Sequence, residues 1–169
     1  MTPATILCSL SPETITRVFS WLQKEQKPVF RTCLTTLVAR RKLRPVFVER
    51  KPPQERYVWM QKELARPEHA QIATNVLHLW ISGDRQQMLI SFLDALGIKH
   101  DGEGGIEGLP VEPESEAVKA AVEQLLAKYP HEEVAAYLRT FQIMEEKGWA
   151  SLDAMFAEDP RLALYQAAS

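Results

Sequence analysis

The chain has 169 residues, 46% apolar and 25% charged, with a net charge of −2. That length supports a continuous core without disulfide or metal staples, and the composition excludes disordered, collagen-like and disulfide-scaffold classes. No apolar run approaches the roughly eighteen residues a membrane-spanning helix needs, and the first eight residues lack the basic and apolar regions of a secretory signal.

Ser11, Pro12 and Glu13 read as a helix start, with Ser as N-cap and Pro at the first helical position; Ile15, Val18, Phe19 and Leu22 then recur at helical spacing. After a polar break, Pro28 reopens a helix through Phe30, Cys33, Leu34, Leu37 and Val38 to about Arg41. Residues 45–49 (Pro, Val, Phe, Val, Glu) favour strand, and Pro52 and Pro53 stop them. Two readings compete here. Strands at 46–49 and 57–60 would make a winged helix-turn-helix of residues 11–60; alternatively, Pro52 and Pro53 open a helix carrying Tyr57, Met60 and Leu64. The strong helix formers of 54–66 favour the second.

Pro67 and Glu68 start a helix striped by Ile72, Val76, Leu79 and Trp80, for which Gly83 supplies a left-handed cap; Asp84 then caps a helix through Met88, Leu89, Phe92, Leu93 and Leu96 to Gly97. Residues 99–113, rich in glycine, proline and acids, read as loop. Ser115 opens a further helix through Val118, Val122, Leu125 and Leu126; after Pro130 another carries Val134, Tyr137, Leu138 and Phe141. Past Gly148 a short helix holds Leu152, Met155 and Phe156.

These helices pair into three hairpins whose apolar positions superpose in sequence: Trp21 on Trp80, Leu34 on Leu93 and Leu37 on Leu96, with residues 77–98 matching 122–143 in turn. The expected fold is all-α, a set of stacked helical hairpins forming an irregular HEAT-like solenoid or a helical bundle of seven or eight helices. It is expected as one domain, 1–169, with sub-units 11–53, 66–113 and 114–160. The spacing matches neither TPR nor ankyrin arrays.

No phosphate-binding, dinucleotide, nucleophile-elbow or kinase motif is present, and none of the four histidines lies four residues from another. An acidic loop offers calcium-type oxygens at Asp101, Glu103, Glu107 and Glu112, but Ile106 occupies the position where a calcium loop turns on Gly. An enzyme site assembled from distant residues could draw on His78, Asp84 and His100. No cofactor is expected, and two cysteines outside any CxxC pattern point to a reduced, cytoplasmic setting.

Charge is the strongest functional signal. Residues 1–60 hold 11 Lys and Arg against 4 Asp and Glu, residues 61–100 hold 4 of each, and residues 101–169 hold 5 against 14. The basic cluster Arg40, Arg41, Lys42, Arg44, Arg50 and Lys51 marks a partner-binding edge. The expectation is an interaction module for a protein partner, without catalytic role and without a membrane. DNA binding by 11–60 and self-association through opposite charges stand as alternatives.

Overall fold

The structure is a computed structural model describing residues 1–165; the last four residues lie outside the described residues. It is all-α, with no strand among the described residues. The helices are α1 (Pro3–Cys8), α2 (Pro12–Glu25), α3 (Lys27–Arg40), α4 (Pro45–Glu49), α5 (Pro53–Leu64) and α6 (Ala70–Gly83). They continue as α7 (Gln86–Ala95), α8 (Ser115–Lys128), α9 (His131–Gln142) and α10 (Ala150–Glu158), with single 3₁₀ turns at Pro67–His69 and Pro160–Leu162. Eight are nine residues or longer, in line with the expected count; the additional two, α1 and α4, are 6 and 5 residues long. No helix among the described residues is long and apolar enough to cross a membrane.

The described residues fall into two compact units, divided within α6: residues 3–80, and residues 81–165 together with 1–2. The division also separates charge, about +7 for residues 3–80 against about −9 for residues 81–165.

In the first unit α2 packs on both α3 and α5. Its start is set as the sequence implies: the Ser11 side chain accepts from the Thr14 N–H at 3.2 Å, Pro12 sits at the first helical position, and Glu13 pairs with Arg17 at 3.1 Å. The buried face of α2 delivers Ile15, Val18, Phe19 and Leu22 to the core. Phe19, Phe30 and Tyr57 form one aromatic cluster with centroid separations of 5.7 to 6.5 Å, and the Tyr57 hydroxyl donates to Gln23 Oε1 at 2.6 Å. Gln61, buried on α5, donates its amide to the carbonyls of Leu7, Cys8 and Leu10 at 3.2, 3.2 and 2.8 Å. Those carbonyls have no partner further along α1, so Gln61 seals its C-terminal end.

In the second unit α8 packs on α7, α9 and α10, and the turn at 160–162 packs on α9 and α10. Phe92, Tyr137, Phe141 and Trp149 form its aromatic core, with centroids as close as 4.9 Å. The loop into α10 is locked by Gln142, whose amide nitrogen donates to Trp149 O at 2.7 Å while its oxygen accepts from Trp149 N at 2.8 Å. A Cβ at Gly148 would stand 2.3 Å from the Gln142 amide carbon, so only glycine leaves room for this reciprocal pair. Glu133, fully buried on α9, accepts from Arg85 Nε at 2.6 Å and Nη2 at 3.1 Å.

Three local expectations are corrected. Residues 45–49 are helical rather than extended, and 57–60 lie in α5, so the strands of a winged helix-turn-helix are not formed. Pro45 at the first helical position and the ties described below outweigh the β preference of two valines and a phenylalanine. Arg85, not Asp84, precedes α7, and Gly83 ends α6 without a left-handed conformation. The paired tryptophans differ in burial: Trp80 is fully buried and Trp21 half-buried.

The Arg85–Glu133 pair makes a stability prediction. Arg85→Met leaves a carboxylate buried without its cation and should destabilise the fold by about 3–5 kcal/mol in urea unfolding. Adding Glu133→Met should restore much of that loss, because it is the uncompensated charge that is unfavourable.

Candidate functional site

The six cations singled out from the sequence surround the connection from α3 to α5. α3 ends in a left-handed cap: Lys42 has φ 54°, and the Leu43 N–H reaches back to Val38 O at 2.9 Å. Pro45 then opens α4, which is closed by Phe47 N to Arg44 O and Arg50 N to Val46 O, both 3.0 Å, and by Lys51 N to Val48 O at 3.1 Å. A helix of 5 residues does not hold itself. Two things hold it: Val48 is buried, and Arg56 of α5 donates to Val48 O at 3.3 Å, Glu49 O at 2.7 Å and Lys51 O at 3.2 Å.

With Val48 turned inward, Leu43, Val46 and Phe47 are left 40%, 38% and 59% exposed. Val46 and Phe47 lie on α4, Leu43 precedes it with Arg44 extended in between, and Arg50 stands at its C-terminal cap. Around this apolar strip the cations divide into two groups. Arg40 pairs with Glu68 at 3.5 Å and Arg41 with Glu63 at 2.9 Å, where Arg66 also contacts the same carboxylate. Lys42, Arg44, Arg50 and Lys51 have no ion pair among the described residues. Beside α4 a cleft of about 490 Å³ is lined by Lys27, Arg31, Thr35, Pro45, Glu49 and Arg56, among others, which extends the positive surface along α3.

No family model, curated protein or solved structure matches this chain.

Two of the four candidate calcium-type carboxylates, Asp101 and Glu112, are engaged within the fold. Asp101 Oδ1 accepts from the backbone N–H of Glu103 at 2.8 Å and of Gly105 at 2.9 Å, folding the acidic loop on itself and holding its carboxyl below the usual range. Glu112 accepts from Ser151 Oγ at 2.5 Å, Ser151 N at 2.8 Å and Ala150 N at 3.2 Å, so it caps α10 from a distance. Glu103 and Glu107 are exposed, and no three metal-ligating side chains come together among the described residues. Asp101 and Glu112 thus already accept from backbone donors within the fold.

The residues of a dispersed enzyme site are likewise placed individually. His100 Nε2 lies 2.8 Å from Asp94 Oδ1 and its Nδ1 accepts from the Gly102 N–H at 3.1 Å, so its partner is Asp94. His78 is exposed on α6, whereas His69 is buried. Cys8 and Cys33 are free thiols whose burial pushes them up to about 11 and about 12. Tyr57 and Trp149 are core residues, and the exposed aromatics among the described residues are Phe47 and Tyr165. Sequence reading missed Phe47 because it read 45–49 as strand-favouring; Pro45 at a first helical position was the available signal.

Two measurements check this geometry. Arg56→Met should speed hydrogen exchange at the amides of Phe47, Arg50 and Lys51 while amides of α2 keep their protection, with global stability falling by roughly 1 kcal/mol. For Glu112, hydrogen bonds from the Ser151 hydroxyl and backbone lower the folded pKa, so its contribution is present above the ordinary carboxylate range and lost as pH falls through the folded pKa. Glu112→Gln should therefore be less stable than the native chain at pH 7, and the two urea midpoints should converge in acid.

Proposed function

We propose that this chain is an interaction module whose residues 40–51 receive an acidic protein partner, with no catalytic role of its own. The observation that carries this reading is the exposed strip Leu43, Val46 and Phe47 standing among cations without ion pairs. Scattered apolar residues on a surface need no explanation, but three within five residues, two of them on a helix tied down by Arg56, offer a local apolar surface. Covering each would contribute about 1–3 kcal/mol before the losses of association. Lys42, Arg44, Arg50 and Lys51 would raise the rate of encounter with an acidic surface and orient it. The unreactive thiols of Cys8 and Cys33 suit a reducing, cytoplasmic setting.

Nucleic acid is the second reading, and the same cations favour it. A phosphate backbone would satisfy the charges and leave Phe47, Val46 and Leu43 in water, which is why a protein surface is preferred.

The test is capture from lysate by the native chain and by two variants, Phe47→Asp/Arg50→Glu and a control, Glu145→Lys/Glu146→Lys. A partner retained by the native chain and the control, lost with the first variant, and bound again as a purified protein supports the reading. Retention of the same partners by all three overturns it. A parallel titration with duplex DNA showing a steep salt dependence abolished by the first variant would move the assignment to nucleic acid.

A further inference from the structure

The second unit carries an element of opposite character. Residues 109–114 (Leu, Pro, Val, Glu, Pro, Glu) run outside any helix between α7 and α8. Pro110 and Pro113 fix their own φ and drive Leu109 and Glu112 toward extended backbone. Glu114 continues the same conformation, with φ −58° and ψ 138°. The segment is pinned on both sides of its middle residue. The carbonyl of Pro110 accepts from the Trp149 indole N–H at 2.8 Å, and Glu112 is bound to the start of α10 by three hydrogen bonds. Val111, between the two pins, is 93% exposed, the highest value among the chain's exposed large apolar residues. Its sequence neighbours Glu107, Glu114 and Glu116 are exposed acids.

A short segment held extended by two prolines and two anchors has already lost the freedom that binding would otherwise remove. It presents one apolar side chain within negative charge. The surface at 40–51 presents three apolar side chains within positive charge. We infer that residues 107–116 of one molecule dock on residues 40–51 of a second copy, with Val111 against Phe47, Val46 and Leu43. This rests on the reading of 40–51 as a receiving surface, and it names the first occupant of that surface as the chain itself. Charge complementarity argues for it: residues 107–116 hold four glutamates and no cation, and Lys42, Arg44, Arg50 and Lys51 have no ion pair among the described residues. Such a contact is heterologous, so each molecule offers one half of it and receives the other.

Sedimentation of the full chain tests the inference. The native chain should associate with rising concentration above its 19.2 kDa mass in roughly 50 mM salt and dissociate in roughly 500 mM salt. Phe47→Asp and Val111→Asp should each weaken association about tenfold or more, the scale of one central contact residue. Mixing the two variants should restore a complex, because the first keeps its acidic segment and the second keeps its receiving surface. Neither a folding defect nor general stickiness gives that rescue. A native chain that stays at 19.2 kDa at low salt overturns the inference, as does association untouched by either substitution or variants that fail to complement. Poly-L-glutamate separates this failure from that of the underlying reading. A monomeric chain that binds the polymer through Phe47 and Arg50 loses only the second copy as occupant. A monomeric chain that ignores the polymer loses both.

Discussion

The guanidinium of Arg56 is the constraint on which the candidate surface depends. Arg56 gathers three carbonyls at and just past the end of α4, Val48 O, Glu49 O and Lys51 O, onto one charged group. Without that tie, five residues that favour strand have little reason to be helical. With it, and with Val48 drawn inward, the remaining side chains have one direction left to face. Phe47 is exposed because its neighbour is buried and its helix is anchored from α5. The apolar strip is therefore a consequence of fixed backbone and not of an unfinished core.

The two units use polar groups in contrasting ways. In the second, Glu133 is closed by Arg85, Gln142 by Trp149 and Asp153, Asp101 by its own loop, and Glu112 by α10. Each of these side chains satisfies a buried or terminal backbone group or a buried charge, and each is accounted for by folding alone. In the first unit the same accounting closes for Gln61, Arg56 and Arg41. It does not close for Lys42, Arg44, Arg50 and Lys51, which contribute nothing to the fold through ion pairs. Charges that folding does not use are the ones an external surface can use, and here they surround the apolar residues that folding also leaves uncovered.

Much of the fold was legible in sequence because its signals are local. Ser11 with Pro12, Pro52 with Pro53, and the helical spacing of Val118, Val122, Leu125 and Leu126 act within one or two turns, and the helices they imply are present. What escaped reading depends on partners far along the chain. Gln61 and Leu10 are 51 residues apart, Arg85 and Glu133 are 48 apart, and Trp149 and Pro110 are 39 apart. Glu112 looked like a metal ligand because its true partners, at 150 and 151, are remote. The basic half of the surface was visible as composition; its apolar half was hidden, since the exposure of Val46 and Phe47 follows from a helical α4 with Val48 buried.

Lys42 gives the surface an energetic signature. The caps of α3 and α7 share one geometry: Leu43 N reaches Val38 O and Ile98 N reaches Leu93 O, both at 2.9 Å, with the intervening residue at φ 54° in one and 67° in the other. At the second position the residue is Gly97, which takes that conformation freely. At the first it is Lys42, for which a left-handed backbone costs about 1 kcal/mol. The residue after such a cap commonly packs back onto its helix, yet Leu43 is 40% exposed. A glycine at 42 and a buried side chain at 43 would both favour stability. The chain instead keeps a cation and an uncovered leucine at the entrance to α4, so backbone strain sits beside exposed charge and exposed apolar surface.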